Sequence, residues 1–252
     1  MARSGTTLTG ELVNSSPDIM LFPETGIHST PSQIALLNDV RGNLQAQPWR
    51  NFTPESIDGR VLELLRRIWG TVRDPDRFDD EGQPRFGLKQ PHAEEWSSEY
   101  AESLGPYRPQ YVYTIRDPAA IYHSTMRMSA WGDYGPDEFT DRFLASVATA
   151  TDLAAAGDLF VVDVFRATAN PTYRKQLGSD LFEFLELPMS DFSHRVLERW
   201  PDMNRSGGTN KGEIPDEEIE QRVKMFQESL KFPELVAAIE RLTQVDAPGA
   251  GR

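Results

Sequence analysis

The chain has 252 residues, 38% of them hydrophobic and 10% aromatic, ample for a buried core and too apolar for a disordered protein. It contains no cysteine, which rules out disulfides and thiolate metal sites and fits a reducing, cytoplasmic compartment. A formal charge of −13 argues against non-specific nucleic-acid binding, and no run approaches the roughly 18 apolar residues of a membrane span or the layout of a signal peptide.

The first element is RSGTT, Arg3 to Thr7, running into LTGELVNSS as a turn into a helix. Gly5 permits close backbone approach, Ser4 or Thr6 can cap the helix, and Arg3 adds a fixed positive charge. Exposed amides at a helix N-terminus attract an anion, and the hydroxyls of Thr6 and Thr7 add donors. The loop is not a Walker A sequence, because GxxxxGK[ST] is absent. A capped surface turn is the other reading of the same residues.

IMLF, Ile19 to Phe22, reads as a strand, and PETG after it places Glu24 at the strand's carboxyl end. Ile57, Val61, Leu64, Leu65 and Ile68 mark a helix. Arg73 to Pro84 is polar and reads as a loop. RFGLK, Arg85 to Lys89, is a second strand, with Lys89 closing it just before Gln90-Pro91. YVYTIR, Tyr111 to Arg116, is a third. Asp117-Pro118 then forces a turn into a helix that carries Ser124.

Arg116 and Ser124 can converge on one anion; alternatively Arg116 pairs with Asp117 while Ser124 faces water. Phe139, Phe143, Val147 and Leu153 mark the next helix, and LFVVDV, Leu159 to Val164, a fourth strand. Ile219, Val223, Phe226 and Leu230 mark a late helix after Pro215 and three acidic residues. Residues 1–245 form a single domain, with 246–252 a frayed tail.

Strands alternating with helices predict an α/β fold, a mostly parallel sheet covered by helices. Strands three and four lack clean alternation, as strands buried on both faces do. Arg3, Glu24, Lys89 and Arg116 all fall in loops or at strand carboxyl ends, the edge where open α/β sheets bind ligands. Three cations and one carboxylate there point to transfer of an anionic group.

In this combination the chain resembles the sulfotransferases that use 3′-phosphoadenosine 5′-phosphosulfate (PAPS), closest to the bacterial and tyrosylprotein-type branch. RSGTTLTGELVNSSPDIMLFPE resembles the family's loop, helix, strand and Glu run. GLKQP resembles its K-x-P element, RDP with a Ser eight residues on resembles its 3′-phosphate motif, and ANPTYRKQLGSDLFEFLELP resembles a later helix. Four elements in the family's order span most of Arg3 to Pro188.

The resemblance implies a P-loop-like fold. It implies that Arg3, Ser4, Gly5, Thr6 and Thr7 bind the 5′-phosphosulfate, Arg116 and Ser124 the 3′-phosphate, and Thr209 or Lys211 in NRSGGTNKGEIP close on the nucleotide. Glu24 would be the general base, with Lys89 and Arg3 stabilising the sulfonate and the departing phosphate oxygen, and no metal required. His28 is the rival base; His92, His123 and His194 read as structural. WGDYGPDEF, Trp131 to Phe139, would line the pocket for a carbohydrate or other hydroxyl acceptor, or else belong to the packing.

Three departures stand out. The family's apolar strand before the loop has no counterpart in Met1-Ala2, so the expectation is either that the true start lies upstream, with Met1 an internal methionine, or that the chain is a truncated product lacking the usual first strand. The Tyr-Glu-Asp-Leu after the late strand is replaced by DVFRAT, which leaves the adenine contact unassigned, and Gly26 stands where the tyrosylprotein enzymes carry Arg. The rival functions are a P-loop kinase-like phosphotransferase and a truncated, non-catalytic relative that binds PAP, the donor's product.

Overall fold

The computed structural model describes residues 5–22, 30–46, 53–73, 85–89, 93–96, 98–99, 104, 108–127, 134–203 and 214–244. Over these residues the chain is a mixed α/β protein, mostly helical, with two parallel sheets of two strands each. It divides into two compact units, one formed by Pro17–Pro109 and the other by Met1–Ser16 together with Gln110–Arg252. Helices and strands are numbered here in chain order.

The larger unit opens with α1 (Thr6–Val13). In the smaller unit, β1 (Ile19–Phe22) pairs with β2 (Arg85–Leu88), Ile19 opposite Arg85 and Phe22 opposite Leu88. The ladder starts one residue earlier, where the Arg85 N–H donates to the Asp18 carbonyl at 2.8 Å. Two helices, α2 (Thr30–Gln45) and α3 (Pro54–Arg73), complete the unit.

Helix α3 starts where its sequence says it should. Thr53 Oγ1 accepts the Ser56 N–H at 3.2 Å, Pro54 takes the position that needs no donor, and Glu55 favours the positive end of the dipole. Of its predicted apolar stripe, Ile57, Val61 and Leu64 pack inward, and the side chains of Leu65 and Ile68 lie outside those described. Ile57 and Val61 are buried against Met20, Phe86 and Leu88 of the strands and Val40 and Leu44 of α2. Periodicity gives no comparable signal for α2, whose Leu36 is exposed while Val40 and Leu44 pack inward. Arg41 Nε and Asp58 Oδ1, 3.3 Å apart, join α2 to α3.

In the larger unit β3 (Tyr111–Ile115) and β4 (Leu159–Asp163) pair in parallel, from Tyr111 opposite Leu159 to Ile115 opposite Asp163. Both strands end one residue sooner than their apolar runs. Arg116 lies beyond the ladder, and Val164 opens α6 (Val164–Ala169). The Asp163 carboxylate accepts the Arg166 N–H at 2.9 Å, and this cap overrides the strand preference of the β-branched valine.

The same device recurs. Asp117 accepts the Ala120 N–H at 2.7 Å ahead of α4 (Pro118–Met126), and Asn170 accepts the Tyr173 N–H at 3.0 Å ahead of α7 (Pro171–Phe184). In both, proline holds the first helical position, where a missing N–H does no harm.

Helix α5 (Pro136–Ala155) buries Phe139, Phe143, Val147 and Ala150. Their rings and methyls meet Tyr122 of α4 and Phe226 of α9 (Asp216–Gln227); Tyr122 lies 4.8 Å from both Phe139 and Phe226, centroid to centroid. Ile219 and Phe226 follow the predicted spacing, but Leu230 does not. It is fully exposed, because α9 ends at Gln227 and Leu230 falls in the turn before α10 (Phe232–Gln244).

Helix α8 (Asp191–Met203) closes on α7 at Gly178, where a Cβ would come within 2.6 Å of Leu197 Cδ1. Its start is fastened to the end of α1: Ser15 Oγ lies 2.7 Å from Ser193 Oγ, and Ser190 Oγ donates to the Ser15 carbonyl at 3.0 Å. This anchors α1 within the unit and so directs its N-terminus.

Candidate functional site

The carboxyl edge of β3 and β4 gathers the predicted anion-binding residues of the larger unit. Gly5 is the N-cap of α1, at φ 106° and ψ 14°, and among the described residues no side chain caps the helix. Of the two caps expected, Ser4 or Thr6, Thr6 is instead the first helical residue, and Ser4 lies outside the described residues. The physical reason is at the start of α6. A Cβ on residue 5 would lie 2.6 Å from Val164 Cγ2, so the turn demands glycine, and the first amides of α1 are left without an intrahelical partner.

Val164 follows Asp163, and Asp163 faces Ile115 in the ladder. Arg116 is the residue after Ile115. The first turn of α1 and Arg116 therefore meet at one sheet edge, through successive register positions and the Gly5–Val164 contact. Arg116 is half-buried and makes no hydrogen bond or ion pair with any other described residue. Asp117 does not neutralise it, because the Asp117 carboxylate is occupied at the α4 N-terminus.

Thr6 is half-buried and Thr7 exposed on the first turn of α1. Ser124 is half-buried on α4, six residues after Pro118, which puts it about 9 Å along the axis from the N-terminus of α4. Its neighbour His123 faces α9 instead, with Nε2 3.5 Å from Glu220 Oε1, a structural contact. Arg127 Nη2 and Asp216 Oδ1, at 2.8 Å, add a second contact between α4 and α9. His194 is exposed on α8.

Lys89 follows β2 in the smaller unit and is half-buried. Arg3, Ser4, Glu24, His28, His92, Thr209 and Lys211 lie outside the described residues, as do Trp131 and residues 246–252. Of the proposed acceptor-pocket stretch, Phe139 belongs to the core rather than to a pocket, and Tyr134 is held by a Tyr122 hydroxyl bond to its carbonyl at 3.0 Å. The Arg142 guanidinium lies 4.7 Å from the Tyr134 ring centroid.

Two residues of the edge went unmarked in the sequence. Asp163 turns β4 into α6, and Val164 supports the loop glycine. A strand closing on Asp is the one signal available for the first. Val164 carries none, since a valine ending an apolar run reads simply as strand. Beyond them on α6, Arg166 stacks over Tyr173 at 4.2 Å from the ring centroid. Burial and the nearby Asp163 carboxylate push the Tyr173 phenol above its ordinary range, against the opposing pull of Arg166.

A helix N-terminus without a cap and a half-buried guanidinium without an ion pair, both among the described residues, lie at one edge, where a phosphate or sulfate group can gain charge-assisted hydrogen bonds. Neither a comparison with models of known protein families nor one with curated proteins finds a match for this chain. Among the described residues no helix is long and apolar enough to cross a membrane.

Proposed function

We propose that this chain is a PAPS-dependent sulfotransferase, moving a sulfuryl group in line from the donor to a hydroxyl (or amine) acceptor. The observation that carries the reading is Arg116: a half-buried guanidinium, unpaired among the described residues, at a strand's carboxyl end beside the uncapped first turn of α1. That is what a bis-anionic nucleotide requires. The fold on this reading is P-loop-like, with Gly5, Thr6 and Thr7 holding the 5′-phosphate and Arg116 with Ser124 the 3′-phosphate.

Transfer forms a bond from the acceptor oxygen to sulfur while the bond from sulfur to the donor's 5′-phosphate oxygen breaks. PAP leaves with that electron pair. Glu24 accepts the proton of the acceptor hydroxyl, and Lys89 and Arg3 stabilise charge on the sulfonate and the departing oxygen. Thr209 or Lys211 closes on the nucleotide. No Walker lysine is present, which weighs against a kinase-like phosphotransferase.

The test is a thermal-shift titration with PAP, with ATP and AMP as controls. Ligand binding only the folded state adds about 2.7 kcal/mol at a hundredfold excess over Kd. A PAP-selective shift that Arg116→Ala removes is the expected result; no PAP-selective shift overturns the reading, and preference for ATP would replace it with the kinase. Glu24→Gln should keep the PAP shift and lose transfer. PAP binding without transfer across an acceptor panel would make the chain a binding module.

A further inference from the structure

Helix α8 reaches both halves of the Gly5–Val164 contact. Near its start Ser193 is wholly buried, with its Oγ 2.7 Å from Ser15 Oγ at the end of α1. Two turns on, the wholly buried Trp200 donates its indole N–H to Thr168 Oγ1 of α6 at 3.2 Å. An indole N–H only donates, so the Thr168 hydroxyl accepts there and gives its single proton elsewhere. That proton goes to the Val164 carbonyl, 2.7 Å away. Arg174 of α7 fastens the other end of α6, donating to the carbonyls of Ala167 at 2.8 Å and Thr168 at 3.3 Å. The chain from Trp200 instead reaches the first residue of α6, and the side chain of that residue fills the space beside Gly5.

We propose that Thr168 is a positioning residue for the anion site at the start of α1, its hydroxyl tying Val164 to α8, an inference that rests on the donor-site reading above. A threonine hydroxyl that bonds back four residues is common in helices and by itself only bends them slightly. Thr125, Thr140 and Thr151 make the same bond, but of these four only Thr168 also accepts from the side chain of another helix among the described residues. The indole fixes the direction of its hydroxyl, and Ser193 on the same helix holds the far end of α1. Helix α8 thereby sets the spacing between α6 and α1. Val164 stands where a Gly5 Cβ would be, so a shift of Val164 changes the turn that presents the first amides of α1. Several amides must be placed together to hold one phosphate, which makes the site sensitive to small displacements.

The experiment titrates the full chain and its variants with PAP by calorimetry, well below Tm, so that affinity is read on folded protein. Thr168→Val keeps the shape and removes the hydroxyl; it is expected to weaken PAP binding roughly fivefold or more. Thr168→Ser keeps the hydroxyl and should bind PAP like the wild type. In a Val164→Ala background, Thr168→Val should cost little further affinity, because the route to Gly5 is already cut. A Thr168→Val protein with a lower Tm but wild-type PAP affinity overturns the proposal, since the residue would then be structural only. An equal loss in Thr168→Ser overturns it, as does a full further loss in the Val164→Ala background. Should Thr168→Val not fold, Trp200→Phe removes the indole donor and keeps a buried ring; unchanged PAP affinity there is likewise decisive against it. Failure of the donor-site reading appears separately, as a wild-type chain that PAP does not stabilise, and it takes this proposal with it.

Discussion

Val164 Cγ2 occupies the space that a Cβ on Gly5 would need, 2.6 Å from where that atom would be, so the turn into α1 and the start of α6 are fitted to each other. Gly5→Ala is therefore strained twice, by its φ of 106° and by the contact. The backbone conformation costs about 1–2 kcal/mol and overpacking about 1–3 more. Urea denaturation should show that loss, and the double variant Gly5→Ala/Val164→Ala should be less destabilised than the two single losses summed. Additive losses would mean that the two residues do not share the space.

Arg116 and Asp117 are adjacent but have separable roles. Asp117→Ala removes the cap of α4 and should cost about 1 kcal/mol of stability, most of it kept by Asp117→Asn, because asparagine also caps. Arg116→Ala breaks no hydrogen bond or ion pair with a described residue and should move unliganded stability by about 0.5 kcal/mol or less. The same variant should abolish stabilisation by PAP. Thermal melts with and without PAP measure both effects in one series.

Tyr111 opens β3 with its hydroxyl buried and unpartnered. Burial, and then the Asp158 carboxylate beside it, hold the phenol above its ordinary range; burial does the same for Tyr122, opposed by Arg222. The folded state thus favours the protonated phenols. Their contribution to stability is complete below the unfolded value of about 10 and is lost as pH rises through the folded value. Tyr111→Phe should be neutral or stabilising at pH 7, by about 1 kcal/mol at most, since it removes an unsatisfied hydroxyl. It should also make the fall in stability above about pH 10 shallower. A steeper alkaline fall in the variant would contradict the assignment.

Glu186 ends α7 in a left-handed conformation, φ 52°, with the Leu187 N–H returning to the Phe182 carbonyl at 2.9 Å. Glycine is the residue this closure favours. Glu186→Gly should gain about 1 kcal/mol and raise Tm by about 2–4 °C. Calorimetry of the two proteins decides it, and a lower Tm would show that the glutamate side chain has a compensating role.

Much of the larger unit was legible because its signals are local. Asp117-Pro118 and Asn170-Pro171 mark helix starts through hydrogen bonds spanning three residues, and the Phe139, Phe143, Val147 spacing marks a buried stripe whatever packs on it. The β3–β4 ladder followed from two β-branched runs too apolar for a one-sided sheet. Leu230 was misread since its spacing suits α9, whereas the helix stops at Gln227 and the chain turns. No helix was read over α2, although Val40 and Leu44 pack inward at a helical spacing of four residues.

The candidate site divides along the same line. Residue types, charges and spacings alone determined that Arg116 stands at a strand's carboxyl end, that Ser124 lies on the helix after it, and that a glycine-containing turn leads into α1. These depend on chain neighbours, whose interactions are the same in any fold. Only the tertiary structure decided that Gly5 rather than Thr6 ends α1, that Val164 leaves the strand to support it, and that this places the first turn of α1 at the edge where Arg116 emerges. Each of these rests on a contact between segments distant in sequence, where the available space, and not the preference of any residue, selects the conformation.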